Sequence, residues 1–216
     1  MYLLRLCRSP HGIRSLMALC LAIAALFMMT SHSQAAIPDD ELLVNGDFEL
    51  YHVGWTETGT VIIRPTGSLP RPPYSGVYAA WLGGYNDADD EMFQNVDVPA
   101  NINFAKLHLW YWSFTPETAY TVDYFTLQLV NPVNGSHYVD AITLDAVPPT
   151  NQYQPHTYIL NSADLDAIRG KTVRVLFRVY TDARLTSSFV VDDVSFDFGS
   201  DLSRHLYLPT TPRTAH

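Results

Sequence analysis

Short stretches rich in β-branched and aromatic residues, separated by Pro, Gly and Asn, run through most of the chain. In the clearest of them, Thr172 to Tyr180, every second residue is Val or Phe, which is the pattern of a strand with one buried face. Lys106 to Phe114 is apolar on both faces and indicates a central strand. Asn134-Gly135 is a hairpin signal, and Asp164 to Gly170 is the only convincing helical turn. About ten strands at 8–12-residue spacing predict an all-β fold, an antiparallel β-sandwich.

The first 35 residues are predicted to be a secretory signal peptide. Their start is basic, an uncharged apolar run covers Leu16 to Met29, and small residues suited to cleavage end at Ala35. The alternative is a transmembrane anchor, but the run is shorter than the roughly 20 residues that a bilayer requires. We therefore expect a secreted, extracellular protein with a leader at 36–41, one domain at 42–199 and a flexible tail at 200–216.

The cysteine content and the charge of the mature chain depend on that segment. Cys7 and Cys20 both lie within it, so the mature domain is predicted to have no disulfide. The segment holds three of the 13 basic residues and none of the 22 acidic ones, so the formal charge of the remainder is −12. Such an acidic chain argues against nucleic acid and anionic membrane as partners of the mature form, and it suits a protein that meets cations.

Ser188 to Phe196, predicted to be the last strand, contains an acidic residue in an unusual place. In a regular strand Asp192 shares its face with three apolar residues (Val190, Val194 and Phe196), which predicts that its carboxylate points into the interior. An isolated buried carboxylate is very costly, so Asp192 should be paired with an arginine or with backbone N–H groups, or should bind a metal ion. Calcium is the favoured partner, because it accepts about six to eight oxygen ligands in flexible geometry.

The first predicted strand is Leu42 to Glu49, in which apolar residues alternate. Gly46 interrupts it at a position where another part of the chain is expected to approach closely. The first and last strands both carry strong core patterns, so we expect them to be neighbours.

Both ends of the domain resemble those of galactose-binding-like jelly rolls, a group that includes many carbohydrate-binding modules. The resemblance rests on residues 44–49 (Val-Asn-Gly-Asp-Phe-Glu), on Gly54-Trp55 and on the closing residues 189–196. Residues 83–86 and 186–189 are also similar to parts of accessory domains found beside secreted bacterial peptidases. Over about residues 42 to 198, the resemblance implies that the sandwich is a jelly roll.

The same resemblance implies a structural calcium ion between the first and last strands. Carried over to this sequence, Glu49 and Asp192 would be its carboxylate ligands, and backbone carbonyls near Ser75 to Tyr78 would complete the shell. Such an ion would stabilise an exported domain that has no disulfide.

Aromatic and acidic residues mark two candidate regions for ligand contact. Trp110 and Trp112 alternate with residues of the other face of their strand, so they form either an open platform for sugar rings or part of a core between two sheets. Tyr85, Asp87 and Asp89 belong to an acidic loop that contacts a ligand, holds a second ion or is simply solvated.

Recognisable catalytic motifs are missing from the sequence, which has no Gly-x-Ser-x-Gly, no His-Glu-x-x-His and no phosphate-binding glycine loop. We therefore predict a secreted, non-catalytic binding module, with a carbohydrate or cell-surface glycan as the favoured partner. The alternatives are a protein-interaction or adhesion domain like those that accompany exported peptidases and, third, a small β-sandwich hydrolase or lyase.

Overall fold

A computed structural model describes residues 40–58, 62–118 and 122–199. The predicted signal peptide, most of the leader and the tail lie outside these residues. Within them the chain forms eleven strands and one short helix. In chain order these are β1 (Asp40–Glu41), β2 (Thr56–Thr58), β3 (Ile63–Pro65), β4 (Tyr78–Gly83), β5 (Asp89–Asp97), β6 (Phe104–Phe114), β7 (Tyr124–Val130), β8 (His137–Asp145), β9 (Gln154–Ile159), α1 (Ser162–Ile168), β10 (Thr172–Tyr180) and β11 (Ser188–Gly199).

The strands form two antiparallel sheets that pack face to face. Sheet one has the order β3-β4-β11-β6-β9, with β1 added along β11, and sheet two has the order β2-β5-β10-β7-β8. Phe125 of sheet two lies 5.9 Å from Phe177 of its own sheet and 5.8 Å from Phe189 of sheet one, measured between ring centroids. The inner faces therefore share one apolar core, and the predicted β-sandwich of the jelly-roll type is confirmed.

The opening segment is not a strand, in contrast to the prediction for Leu42 to Glu49. Only β1 pairs with β11, and the residues after it form turns in which three non-glycine residues, including Asn45, have positive φ. The Asn45 side chain fastens these turns by accepting a hydrogen bond from the backbone N–H of Leu50. The predicted close approach at Gly46 is confirmed, because a Cβ there would overlap the carbonyl oxygen of Val194.

A β-bulge in β11 decides which way Asp192 points. Asp192 lies opposite Trp110 of β6, whereas Ser195 lies opposite His108. Three steps along β11 thus match two along β6, and Asp193 in the bulge has a φ of 44°. The alternation of faces along β11 is shifted by one residue at this point.

The predicted common face of residues 190 to 196 is therefore wrong. The residues that face the core are two on each side of the bulge: Phe189, Val191, Val194 and Phe196. Asp192 lies with Val190 on the outer face of sheet one, not in the interior of the sandwich. It is nevertheless completely buried, because a loop covers that face.

Candidate functional site

The loop that covers this face joins β3 to β4 and is named the cover loop (residues 66–77). Tyr74 of the loop stacks on Trp110, with ring centroids 4.0 Å apart and an interplanar angle of 11°. The Tyr153 hydroxyl donates a hydrogen bond of 3.0 Å to the carbonyl oxygen of Pro72. The cover loop is thus attached both to β6 and to the residue that precedes β9.

An open pocket of about 420 Å³ lies between the cover loop and Trp112. Trp112 is only 8% exposed and packs with Ala79 and Val190 in a small apolar cluster on the outer face of sheet one. The pocket is lined by Pro70, Arg71, Pro72, Pro73, Tyr74, Trp112 and Tyr153. Its walls consist mainly of proline and aromatic rings, with a few polar groups, which is the usual composition of a small-molecule site.

Arg71 is the cation of this pocket. Its guanidinium carbon lies 5.6 Å from the ring centroid of Trp112 and 5.8 Å from that of Tyr153, within the range of a cation–π interaction. One guanidinium nitrogen donates a hydrogen bond of 3.2 Å to the carbonyl oxygen of Asn151. In the part of the chain that the structure describes, no carboxylate forms an ion pair with Arg71.

The two carboxylates predicted as calcium ligands hold the end of the cover loop. Glu49 accepts hydrogen bonds of 2.8 Å from the backbone N–H groups of Val77 and Tyr78. Asp192 accepts a hydrogen bond of 3.0 Å from the backbone N–H of Ser75, and its other oxygen accepts one from the backbone N–H of Asp193. Ser75 and Tyr78 were expected to offer carbonyl oxygens, but here their N–H groups face the carboxylates.

Asp192 is an electrostatically costly residue. The pKa of Asp192 is raised to about 8, mainly by burial and to a smaller extent by the charge of Asp193, while hydrogen bonds such as that from Ser75 act against this shift. No Lys or Arg among the described residues pairs with Asp192, so of the expected partners the backbone N–H groups are the ones observed. A nearby cation would lower the cost of keeping this carboxylate ionised.

Several carboxylates lie near Asp192. Burial raises the pKa of Asp193, and the charges of Asp47 and Glu49 raise it further, so several carboxylates lie within electrostatic range of each other. Hard oxygen donors of this kind are those that calcium prefers. Over the described ranges no group of three or more His, Cys, Asp or Glu residues is arranged to hold a metal, so an ion bound by Glu49 and Asp192 would also need backbone and water oxygens.

The two tryptophans predicted to contact a ligand lie on the outer face of sheet one. Neither arrangement expected for them holds as stated, because Trp110 and Trp112 are not between the two sheets and are not an open platform either. Tyr74 stacks on Trp110, and the cover loop leaves Trp112 only as one wall of the pocket.

Tyr85, Asp87 and Asp89 lie in or next to the loop between β4 and β5, and none of them lines the pocket. The Tyr85 hydroxyl donates a hydrogen bond of 2.6 Å to Asp90. Both oxygens of Asp89 accept hydrogen bonds of 2.8 Å from the guanidinium group of Arg178. These groups contact other parts of the protein, and the structure does not bring them together with the two tryptophans.

Arg71 and Tyr153 are the pocket residues that sequence reasoning missed. The signal for Arg71 was its place in Pro70-Arg71-Pro72-Pro73, since prolines offer no N–H for a sheet and keep a chain extended with its side chains displayed. Nothing in the sequence marked Tyr153, because its place beside Trp112 follows from the pairing of β9 with β6.

A scan against protein-family models and a search of curated proteins both find no match. Similar solved structures include the carbohydrate-binding module TmCBM61 in complex with β-1,4-galactotriose, with 15% identity, a TM-score of 0.49, and 73% of this chain and 97% of that chain covered. The CBM22-1 xylan-binding domain from Paenibacillus barcinonensis has 18% identity, a TM-score of 0.46, and 77% and 99% covered. The K1 cleaved adhesin domain of Lys-gingipain from Porphyromonas gingivalis has 12% identity, a TM-score of 0.46, and 68% and 91% covered. Carbohydrate-binding modules and an adhesin domain are thus both among the similar structures, as the sequence resemblance suggested.

A membrane-spanning helix is not found among the described residues, none of whose helices is both long and apolar enough to cross a bilayer.

Proposed function

We propose that this protein is an exported binding module that takes a carbohydrate in the pocket between the cover loop and Trp112. The observation that carries the proposal is the joint lining of one open pocket by Trp112, Tyr153 and three prolines. A sugar ring has an apolar face of C–H groups that packs on aromatic rings, and hydroxyl groups around its edge that need hydrogen-bonding partners. The Tyr153 hydroxyl and the Arg71 guanidinium are the polar groups beside these rings.

A glycan array probed with the mature chain tests this site. Tyr153→Ala removes one wall of the pocket, and we expect it to weaken glycan binding by about tenfold or more, as for an aromatic residue at the centre of a binding site. The matched control is Tyr124→Ala, because Tyr124 belongs to sheet two and stacks on Tyr180 instead of lining the pocket. Glycan binding that survives Tyr153→Ala but not Tyr124→Ala would move the site to sheet two.

A structural calcium ion is the second part of the proposal. Glu49 and Asp192 would hold it, together with backbone and water oxygens near Ser75, and it would neutralise the buried carboxylate of Asp192. Both side chains already contact the end of the cover loop. The ion would therefore fix that end of the loop, and with it the pocket.

The melting temperature of the protein with and without calcium tests the ion. At a calcium concentration 100 times its Kd, the free energy of unfolding should rise by about 2.7 kcal/mol. For a domain of this size that is a rise of about 5–10 °C in Tm, which a chelator should reverse. A Glu49→Gln variant should not respond to calcium, whereas Asp140→Asn, an exposed control on β8, should respond like the wild type. Equal melting curves with calcium and with chelator would refute the ion.

We also propose that the module binds without catalysing a reaction, as the lack of recognisable catalytic motifs in the sequence suggests. Incubation of the bound glycan with the protein should release no new reducing ends over hours. If reducing ends are released, and replacement of a single Asp or Glu abolishes that release, the third alternative, a small hydrolase or lyase, is supported instead.

The alternative of a protein-interaction domain is favoured by one specific surface. Apolar side chains in and near the opening turns are unusually exposed, with Leu50 at 62% and Val53 at 53%. An array that carries extracellular proteins beside glycans separates the two functions. Binding to protein spots that is lost in Leu50→Asp and unaffected by Tyr153→Ala would favour the protein-interaction domain.

A further inference from the structure

On the basis of the proposed carbohydrate site, we infer that the pocket selects an anionic sugar, whose carboxylate or sulfate group is held by Arg71. The guanidinium group of Arg71 lies beside the rings of Trp112 and Tyr153, where a bound sugar would pack. It would reach the charged group at the edge of a sugar whose apolar face rests on these rings.

Within the described ranges, most of the hydrogen-bonding capacity of Arg71 is unused. A guanidinium group has five N–H donors in a planar fork, and one nitrogen of Arg71 donates to the carbonyl oxygen of Asn151. A carboxylate or sulfate accepts two parallel hydrogen bonds from such a fork, whereas a sugar hydroxyl does not match it.

Arg71 has no carboxylate partner among the described residues, unlike several other cations. Lys106 pairs with Asp197, Arg169 with Asp166, and Arg178 with Asp89 and Glu91. Arg174 also packs on an aromatic ring without an ion pair, but its guanidinium donates hydrogen bonds to two other groups of the protein, and it does not line the pocket. A ligand can therefore supply the negative charge that balances Arg71.

The acidic residues nearest the pocket are turned towards the protein. The charge of Asp192 is felt at Tyr74 and Tyr153, where it raises the pKa of both hydroxyls after the larger effect of burial. However, Asp192 and Asp193 accept hydrogen bonds from the backbone N–H and the hydroxyl of Ser75, respectively. Their oxygen atoms are therefore engaged with the cover loop, and the charged group that faces the pocket is Arg71.

A purely structural role of Arg71 makes a different prediction. In that role the guanidinium only packs the cover loop against Trp112 and Tyr153, and its replacement would weaken the binding of every sugar equally. A role in recognition predicts instead a loss that depends on the charge of the sugar.

Calorimetry of trigalacturonate and of its methyl ester tests the inference, because esterification removes the negative charges and keeps the sugar rings and their linkages. We expect the wild type to bind the acid about 10- to 100-fold more tightly than the ester, as for a hydrogen bond between charged groups. Arg71→Gln should remove this preference, because it should lower the affinity for the acid at least tenfold more than that for the ester, while Arg71→Lys should keep part of the preference. If the pocket prefers sulfate to carboxylate, the protein should instead bind a sulfated galactan trisaccharide more tightly than the neutral one.

The possible failures separate the inference from the proposed function. Equal affinity for acid and ester, together with equal affinity for sulfated and neutral galactan, would overturn the inference and leave the carbohydrate site intact. Arg71→Gln that weakens all sugars by the same factor would also overturn it, since Arg71 would then only hold the loop. No binding of any saccharide on the glycan array would refute the proposed function itself.

Discussion

Arg178 on the outer face of sheet two and Arg71 on that of sheet one differ in how their charges are balanced. On sheet two, Arg178 donates two hydrogen bonds of 2.8 Å to Asp89 and lies 3.6 Å from Glu91. On sheet one, Arg71 packs beside two aromatic rings and, in the described residues, has no carboxylate partner. The charge of the first arginine is balanced within the protein, and that of the second is not.

Other polar groups on sheet two are also satisfied by their neighbours. Gln128 donates a hydrogen bond of 2.8 Å to Asp140, which also pairs with His137 at 2.9 Å. Arg174 donates to Asn95 and packs over Phe93 at 3.9 Å. A face whose polar groups are already paired gains little from a ligand, because each new contact must replace an existing one. The comparison therefore favours sheet one as the binding face.

The largest expected difference between the faces is in stability. Trp112→Ala should cost about 3–5 kcal/mol of unfolding free energy, because it empties a buried site beneath the cover loop. Phe93→Ala on sheet two also removes a ring under an arginine, but that ring is only half-buried, so we expect a loss of about 1–2 kcal/mol. Urea denaturation measures both. Equal losses would mean that the cover loop does not bury Trp112 in solution.

A smaller difference is expected between the two arginines. Arg178→Ala removes an exposed ion pair, so it should cost only about 0.2–1 kcal/mol of stability. It should leave glycan binding unchanged, because Arg178 does not line the pocket. Arg71→Ala should instead weaken the binding of glycans. Thermal melts and the array together measure this, and loss of binding in Arg178→Ala would contradict the assignment of the two faces.

The smallest effect should be the pH dependence that His108 gives to sheet one. Its Nδ1 contacts the Thr157 hydroxyl at 2.7 Å, while its Nε2 is buried and has no hydrogen-bond partner among the described residues. Burial lowers the pKa of His108, and the charge of Lys106 lowers it further. As the pH falls below about 6.5, the unfolded chain binds a proton before the folded chain does, so stability decreases.

The contribution of His108 should therefore be fully present above the pKa of the unfolded histidine and be lost in more acidic solution. Melting temperatures of the wild type and of His108→Gln, measured between about pH 5 and pH 8 at constant salt, isolate this contribution. The variant should show a flatter profile than the wild type. Parallel profiles would exclude His108 as the source.

Strands with regular alternation were predictable from the sequence. Thr172–Tyr180 was predicted with the bounds that the structure shows, and its four inward residues are all fully buried. The prediction of a strand for the opening segment was wrong because its apolar pattern is also compatible with turns. The hydrogen bond of the Asn45 side chain and the positive φ values decide in favour of turns. The change of face in β11 was hidden because the bulge falls between Asp192 and Ser195, where the sequence has no glycine or proline to mark it.

The pocket was less predictable than the fold. Its walls combine the cover loop with Trp112 of β6 and with Tyr153, which lies about 80 residues after the loop in sequence. Such a combination depends on strand order and on the path of a proline-rich loop, and neither is encoded in local periodicity. Glu49 and Asp192 were predicted to bind calcium together with carbonyl oxygens near Ser75 to Tyr78; both carboxylates accept hydrogen bonds from N–H groups at this end of the cover loop, and calcium binding by them stays a prediction.

Strand β11 and the cover loop differ in their tolerance of insertions and deletions. Removal of Val190 would turn Phe189 from the core to the outer face of sheet one, so the length of this strand is fixed by the fold. The cover loop, in contrast, is held at its ends by β3 and β4, and doubling its length should cost only about 0.6 kcal/mol in closure entropy. Related chains, or libraries built on this one, can therefore acquire new ligand preferences by changing the length of residues 66–77, while the strand beneath stays the same.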